Sequence, residues 1–196
     1  KLTEAWGQTV VVDNRPGAGS TIGSEIVANS TPDGYTLMVV SASYSTSAGL
    51  YQNLKYDPVK AFQPIVVIAS APNVFLAHPT VPVKNAGELI KMAKASPGKL
   101  NMGSAGTGSI THLSGELFTS MAGIDVQQVP YKGGGPALQA VAANQIQLTF
   151  LSLSASLGQV KAGRVKALGV TSANRSPILP DVPALAEFVP GYQATN

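Results

Sequence analysis

The feature that most constrains this chain is an alternation kept up nearly from end to end, in which short β-branched runs take turns with amphipathic stretches of helical period. Short apolar or β-branched runs that read as strands occupy 9–13, 36–41, 62–69, 73–78, 99–104, 126–131, 147–151 and 165–171. Helical patterns fall at 20–30, 86–95, 109–121, 136–143 and 155–162. Strands alternating with helices of this length predict an α/β architecture with a largely parallel sheet. The punctuation agrees. Asn14-Arg15-Pro16-Gly17-Ala18-Gly19 and Pro32-Asp33-Gly34 read as turns, Ser20 as a helix cap, and Asn85 with Glu88 as a helix start. Leu113, Leu117 and Met121, beside Phe118, recur at helical spacing and predict a core stripe. Residues 42–48, five of them hydroxyl-bearing or aromatic, read as a loop. The Pro-rich stretch 71–82 reads as a joint between two α/β lobes.

Composition matters for what such a chain can bind. Charged residues make up 12% of the 196, against about 25% in ordinary globular chains. A net charge of +3 rests on 13 Lys and Arg, which excludes a basic nucleic-acid patch. With no Cys and two His, thiolate chemistry, disulfides and transition-metal sites have little to build on. No apolar run is long enough to span a membrane; the longest, such as 65–69, is strand-sized. Lys1 to Gly7 reads as the last turns of a helix with a Gly stop, and the chain ends on an incoming strand, so a fragment cut at both ends is expected.

In open parallel sheets, ligands sit beyond the carboxyl ends of the strands. Four loops qualify. Gly103-Ser104-Ala105-Gly106-Thr107-Gly108-Ser109 leads from a strand into a helix, where bare amides and the helix N-terminus suit an anion without Lys or Arg. A tight turn with a capping Ser109 fits the same residues equally well. Ser41, Ala42 and Ser43 open a second, hydroxyl-rich loop, equally readable as a surface loop. Lys132 and Gly133 sit in Pro130-Tyr131-Lys132-Gly133-Gly134-Gly135, which lacks the ending of a P-loop. Ser152 offers a hydroxyl, or a helix cap, after the strand 147–151. His112 follows the glycine loop as a ligand donor or an ordinary helix residue. Paired carboxylates, HExxH and GxSxG are absent, so the sequence does not read as an enzyme. Gly106-Thr107-Gly108 is half a dinucleotide fingerprint, and Lys132 would suit a 2′-phosphate; an NADP-dependent α/β enzyme is the alternative.

Several motifs carry a resemblance. Trp6-Gly7-Gln8, Val12-Asp13-Asn14-Arg15-Pro16-Gly17-Ala18-Gly19 with Ile22-Gly23, Pro32-Asp33-Gly34-Tyr35-Thr36-Leu37 and Tyr56-Asp57-Pro58 form the first group. Pro97-Gly98-Lys99-Leu100-Asn101, His112-Leu113-Ser114-Gly115-Glu116-Leu117-Phe118, Val129-Pro130-Tyr131-Lys132-Gly133 and Leu179-Pro180-Asp181-Val182-Pro183 complete it. Taken in this order, they resemble the receptors of the tripartite tricarboxylate transporter family, also called the Bug family.

The resemblance implies a type II periplasmic-binding-protein (Venus flytrap) fold, two α/β lobes with mostly parallel sheets joined by a hinge. It implies a periplasmic, non-enzymatic solute receptor that closes on a small carboxylate and delivers it to membrane transporter subunits. Such a protein would be a monomer, with no cofactor, no nucleic acid and no membrane insertion. Residues 1–74 would belong to lobe 1 and 75–196 to lobe 2, with hinge segments at both ends of the latter. The family's first ligand loop would lie upstream of Lys1; the second corresponds to Ser104-Ala105-Gly106 with Thr107 to Ser109. Where relatives often carry Asp-Asn after the strand ending at Phe150, this chain has Leu151-Ser152. That difference favours a plain carboxylate over an amino acid.

Overall fold

The computed structural model describes residues 1–15 and 17–195. Pro16 of the first turn and Asn196 lie outside the described residues, as do the side chains of Ser47 and Ala48. Among the described residues the α-helices are α1 (Leu2–Trp6), α2 (Thr21–Ala28), α3 (Ser43–Leu50), α4 (Ala86–Ala95), α5 (Ile110–Ala122), α6 (Gly134–Ala142) and α7 (Leu153–Lys161). The strands are β1 (Asn73–Ala77), β2 (Asn101–Ser104), β3 (Gln127–Pro130), β4 (Leu148–Ser152) and β5 (Lys166–Val170). None of these helices is long and apolar enough to cross a membrane.

The strands form one sheet in the order β3-β2-β4-β1-β5. β2 runs parallel to β3 and β4, whereas β1 runs antiparallel to β4 and β5. Four strands therefore share a direction and β1 opposes them, which places the start of β1 at the edge where β2, β3 and β4 end. In register, Asn73 faces Ser152, Phe75 faces Phe150 and Ala77 faces Leu148. Pro72 makes an antiparallel bridge to Thr195.

Both faces of the sheet are covered, as expected for helix-linked strands. On one face Phe75 stacks on Phe150 at 4.3 Å between ring centroids, with Phe118 at 4.9 Å from Phe75. The Tyr192 ring meets Phe118 edge-on at 5.8 Å, and its hydroxyl donates to the Ser114 carbonyl at 3.0 Å. Burial pushes the Tyr192 phenol well above its ordinary pKa. On the other face Val74, Leu76, Leu138, Val141, Leu151 and Val170 pack together. Asn85 caps α4 by accepting the Glu88 amide at 3.0 Å, while the Glu88 carboxylate reaches back to the Lys84 amide at 2.8 Å.

Four expectations are corrected. Residues 9–13, 36–41 and 62–69 form no strands, and Val67 is 83% exposed. A β-branched run supplies the side-chain preference, but a strand exists only where a neighbour completes its hydrogen-bond ladder. The hydroxyl-rich stretch after Ser41 is not a loop but α3, in which the Thr46 hydroxyl donates back to the Ser43 carbonyl at 2.9 Å. Ser20 does precede α2, yet it sits in the left-handed region (φ 78) and its side chain makes no capping bond. Finally, Leu117 and Met121 are 40% and 41% exposed and Leu113 is only partly buried; α5 turns Thr111, Ser114, Gly115, Phe118 and Ala122 to the core instead. The reason is close approach: a Cβ on Gly115 would come within 2.7 Å of the Gln128 amide nitrogen and 3.1 Å of the Met102 sulfur. The small-residue face lets α5 lie against the sheet where the Leu/Met face would not. Within 71–82, the strand expected at 73–78 is present as β1, an interior strand of the sheet.

Candidate functional site

The carboxyl edge of the sheet is where the loops converge. β2 feeds α5 through 105–109, β3 feeds α6 through 131–133, and β4 passes directly into α7. The first two connections are sewn together, since the Tyr131 amide donates to the Ser104 carbonyl at 3.0 Å and the Gly133 amide to the Ala105 carbonyl at 3.2 Å. Gly106 (φ 121) and Gly133 (φ 108) hold backbone conformations that side-chain-bearing residues rarely adopt, which is why the seam closes here. Ser109 caps α5, accepting the His112 amide at 3.3 Å and donating to the Gly106 carbonyl at 2.6 Å. The Thr111 hydroxyl accepts the Ala105 amide at 2.9 Å.

Against this seam lies a cavity of about 240 Å³. Ile110 and Thr111 of α5, Gly134 and Gly135 of α6, and Ser152 and Ala155 at the start of α7 line it. Leu138 and Leu151 form its apolar wall and Asn73, the first residue of β1, also borders it. No lining side chain carries a charge. Three helix N-termini, of helices 13, 9 and 9 residues long, thus meet at one uncharged hollow. The first-turn N–H groups of each helix have no partner inside it, and each N-terminus carries about half a positive charge. That arrangement suits an anion whose charge is met by amides and hydroxyls.

Two buried polar side chains close to this edge make no hydrogen bond: the Ser104 hydroxyl, at the end of β2, and both polar atoms of the Asn73 carboxamide. A larger cavity of about 460 Å³ lies among Thr21, Glu25 and residues 50–56. Its two charged groups, Glu25 and Lys55, face each other at 3.2 Å, so neither is left for a ligand.

Of the residues singled out from sequence, Ser152 lines the cavity, its hydroxyl 2.8 Å from that of Ser154. Ser104, Ala105, Gly106, Thr107, Gly108 and Ser109 build the adjoining seam. The Thr107 carbonyl accepts the Tyr51 hydroxyl at 3.3 Å, and Gly108 lies under Leu50. His112 faces this turn: its Nδ1 accepts the Gly108 amide at 3.5 Å and its Nε2 stands 3.8 Å from Glu116. Gly133 precedes α6, whereas Lys132 is exposed and borders no part of the cavity. Ser41, Ala42 and Ser43 sit at the start of α3, the Ser41 and Ser43 hydroxyls bonded to each other at 2.6 Å. Gly134 and Gly135, which line the cavity, lie in the third candidate loop, whereas sequence reasoning missed Asn73 and Thr111. For Asn73 the signal was a polar residue opening an otherwise apolar strand.

The geometry is that of an α/β protein with a candidate site at the carboxyl edge of the sheet, and comparison with known proteins supplies its family. Residues 1–196 match the tripartite tricarboxylate transporter family receptor description, and the chain belongs to that family. A Pseudomonas sp. protein encoded in the tcbD-tcbE intergenic region is 36% identical over 195 residues, covering 98% of this chain and 58% of its own length. BugT of Bordetella pertussis is 34% identical, covering 97% of this chain and 59% of its own length. Among solved structures, Rpa4515 of R. palustris with adipate superposes at a TM-score of 0.95 and 38% identity, over 99% of this chain and 66% of that one. The periplasmic binding protein BugD superposes at 0.93 and 35% identity, over 99% and 65%. MatC from Rhodopseudomonas palustris with bound malate does so at 0.90 and 31% identity, over 99% and 67%. The chain therefore has the fold of these periplasmic binding proteins, and it spans under two thirds of the length of the curated relatives named. The family is one of receptors and BugD is a binding protein, not an enzyme, which overturns the NADP-dependent alternative; the exposed position of Lys132 gives it no support either.

Proposed function

We propose that this chain forms the anion-holding part of an extracytoplasmic receptor for a small carboxylate, which delivers its ligand to a membrane transporter of the tripartite tricarboxylate kind. The observation that carries the reading is the meeting of the α5, α6 and α7 N-termini at an uncharged cavity. An anion buried there must exchange its water for several charge-assisted hydrogen bonds, and first-turn amides with the Thr111 and Ser152 hydroxyls supply them. The adipate of Rpa4515 and the malate of MatC support a dicarboxylate, and Leu151-Ser152, where relatives often carry Asp-Asn, leaves an α-ammonium group without a counter-charge.

In this reading residues 1–74 contribute to one lobe and 75–196 to the other, in a monomer that works in the periplasm. Closure brings the first lobe onto the seam, and the Tyr51 to Thr107 hydrogen bond is one contact such closure makes. Two experiments test it. In a thermal-shift panel of mono-, di- and tricarboxylates and amino acids on the full-length protein, a dicarboxylate raises the unfolding temperature and amino acids do not; stabilisation by no carboxylate sinks the reading. In Gly106→Val the branched side chain meets a φ it cannot adopt and a carbonyl, that of Tyr131, only 3.3 Å from its Cβ. Carboxylate affinity falls in that variant, and unchanged affinity counts against the seam's part in the site.

A further inference from the structure

Asn73 is fully buried, yet neither its Nδ2 nor its Oδ1 has a hydrogen-bond partner. A buried carboxamide left unpaired is costly, and a strand interior would ordinarily use an apolar residue at such a position. The row it belongs to shows this. Along one face of the β1–β4 ladder the facing pairs are Ala77 with Leu148, Phe75 with Phe150, and finally Asn73 with Ser152. The row is apolar until the pair that borders the cavity, and there both members become polar and neutral. The backbone is not the reason. The Asn73 amide donates to the Thr171 hydroxyl at 2.8 Å and its carbonyl accepts the Thr171 amide at 2.9 Å, bonds that any residue makes. What the asparagine adds is a carboxamide at the wall of the cavity lined by Thr111, Gly134 and Ser152.

We propose that Asn73 is a specificity-determining residue of the site, whose carboxamide hydrogen-bonds an oxygen of the bound carboxylate on the sheet side of the cavity. This rests on the carboxylate reading above. A carboxamide donates two N–H bonds and accepts at its oxygen, so it meets a carboxylate or hydroxyl oxygen without bringing a charge. It therefore adds polarity where the helix N-termini supply the positive field, and it leaves the cavity without an acid to attract an ammonium.

Asn73→Leu keeps the branched shape and the number of side-chain heavy atoms, and puts somewhat bulkier methyl groups in place of the unpaired polar atoms. The test is titration calorimetry of the full-length protein and its variants with succinate, malate, adipate and citrate, beside thermal unfolding without ligand. Asn73→Leu is expected to bind the tightest of these acids about ten- to a hundred-fold more weakly. Its unligated unfolding temperature is expected to stay level or rise, because an unpaired buried group has gone. Asn73→Asp, which sets a like charge against the ligand, is expected to lose at least as much affinity at pH 7.5. A purely structural asparagine gives the opposite pattern: lower unligated stability with affinity unchanged. Equal affinity in wild type and Asn73→Leu overturns the proposal. Failure of the wild-type protein itself to bind any of these carboxylates overturns instead the reading on which it rests.

Discussion

Ile65 to Ile68 and Val74 to Ala77 are apolar runs of the same kind a few residues apart, and they end in opposite surroundings. The first is 73–83% exposed and belongs to no sheet; the second is wholly buried at the centre of one. The contrast extends to the regions around them. Residues 73–195 hold all five described strands and both hydrophobic clusters, whereas among the described residues of 1–72 the buried ones are the two serines Ser24 and Ser43. Local preference is therefore equal in the two regions, and partners decide. β1 has β4 on one side and β5 on the other; no described strand reaches 9–13, 36–41 or 62–69.

The comparison can be broken at its strongest point. Phe75→Ala removes a ring stacked on Phe150 and tilted against Phe118, and is expected to cost about 3–5 kcal/mol in urea unfolding. Val66→Thr, in the exposed run, is expected to stay within about 0.5 kcal/mol. Comparable losses from the two would mean that the runs are equivalent after all. A smaller effect is expected at Asn85→Ala, which strips the α4 cap and should lower stability by about 1 kcal/mol in the same assay.

The smallest effect is electrostatic. The Arg175 guanidinium grips Glu187 through two bonds of 2.8 Å, and with the Ala184 amide it holds the carboxyl below its ordinary pKa. A depressed folded value means that the ion stabilises the fold above the ordinary carboxylate range, and that this is lost as pH falls through the folded value. Glu187→Gln should flatten the acid side of the stability profile slightly, with no change at neutral pH in its slope. Because the pair is exposed, a steep loss on acidification that survives in Glu187→Gln would place the sensitive carboxylates elsewhere.

Much of the sheet unit was legible in the residues. The Asn85 and Ser109 caps, the Gly7 stop and the order of strands and helices after 73 follow from short-range chemistry, and the structure repeats them. Misreadings came where a second element decides. The Leu113, Leu117 and Met121 stripe has helical period, but which face α5 buries depends on the close fit of Gly115 to Met102 and Gln128, residues a strand away. The glycine loop reads from sequence as a candidate site element, yet its amides are partly used by Thr111 and His112, and the cavity opens one turn further along. Asn73 left no motif, because its meaning comes from the antiparallel direction of β1, which sets a strand's first residue among other strands' last.

The bridge between Pro72 and Thr195 gives the sheet unit a property of its own. Its two ends lie side by side, one strand spacing apart, about 4.8 Å. Residues 72 and 195 are thus tied to each other at a single narrow gateway. A pull or twist on either strand at that gateway acts on both at once, one residue away from Asn73 and the cavity wall. Two cords fastened at one point share whatever load either carries, so strain entering along one of them is divided between both at the end of the sheet that borders the cavity.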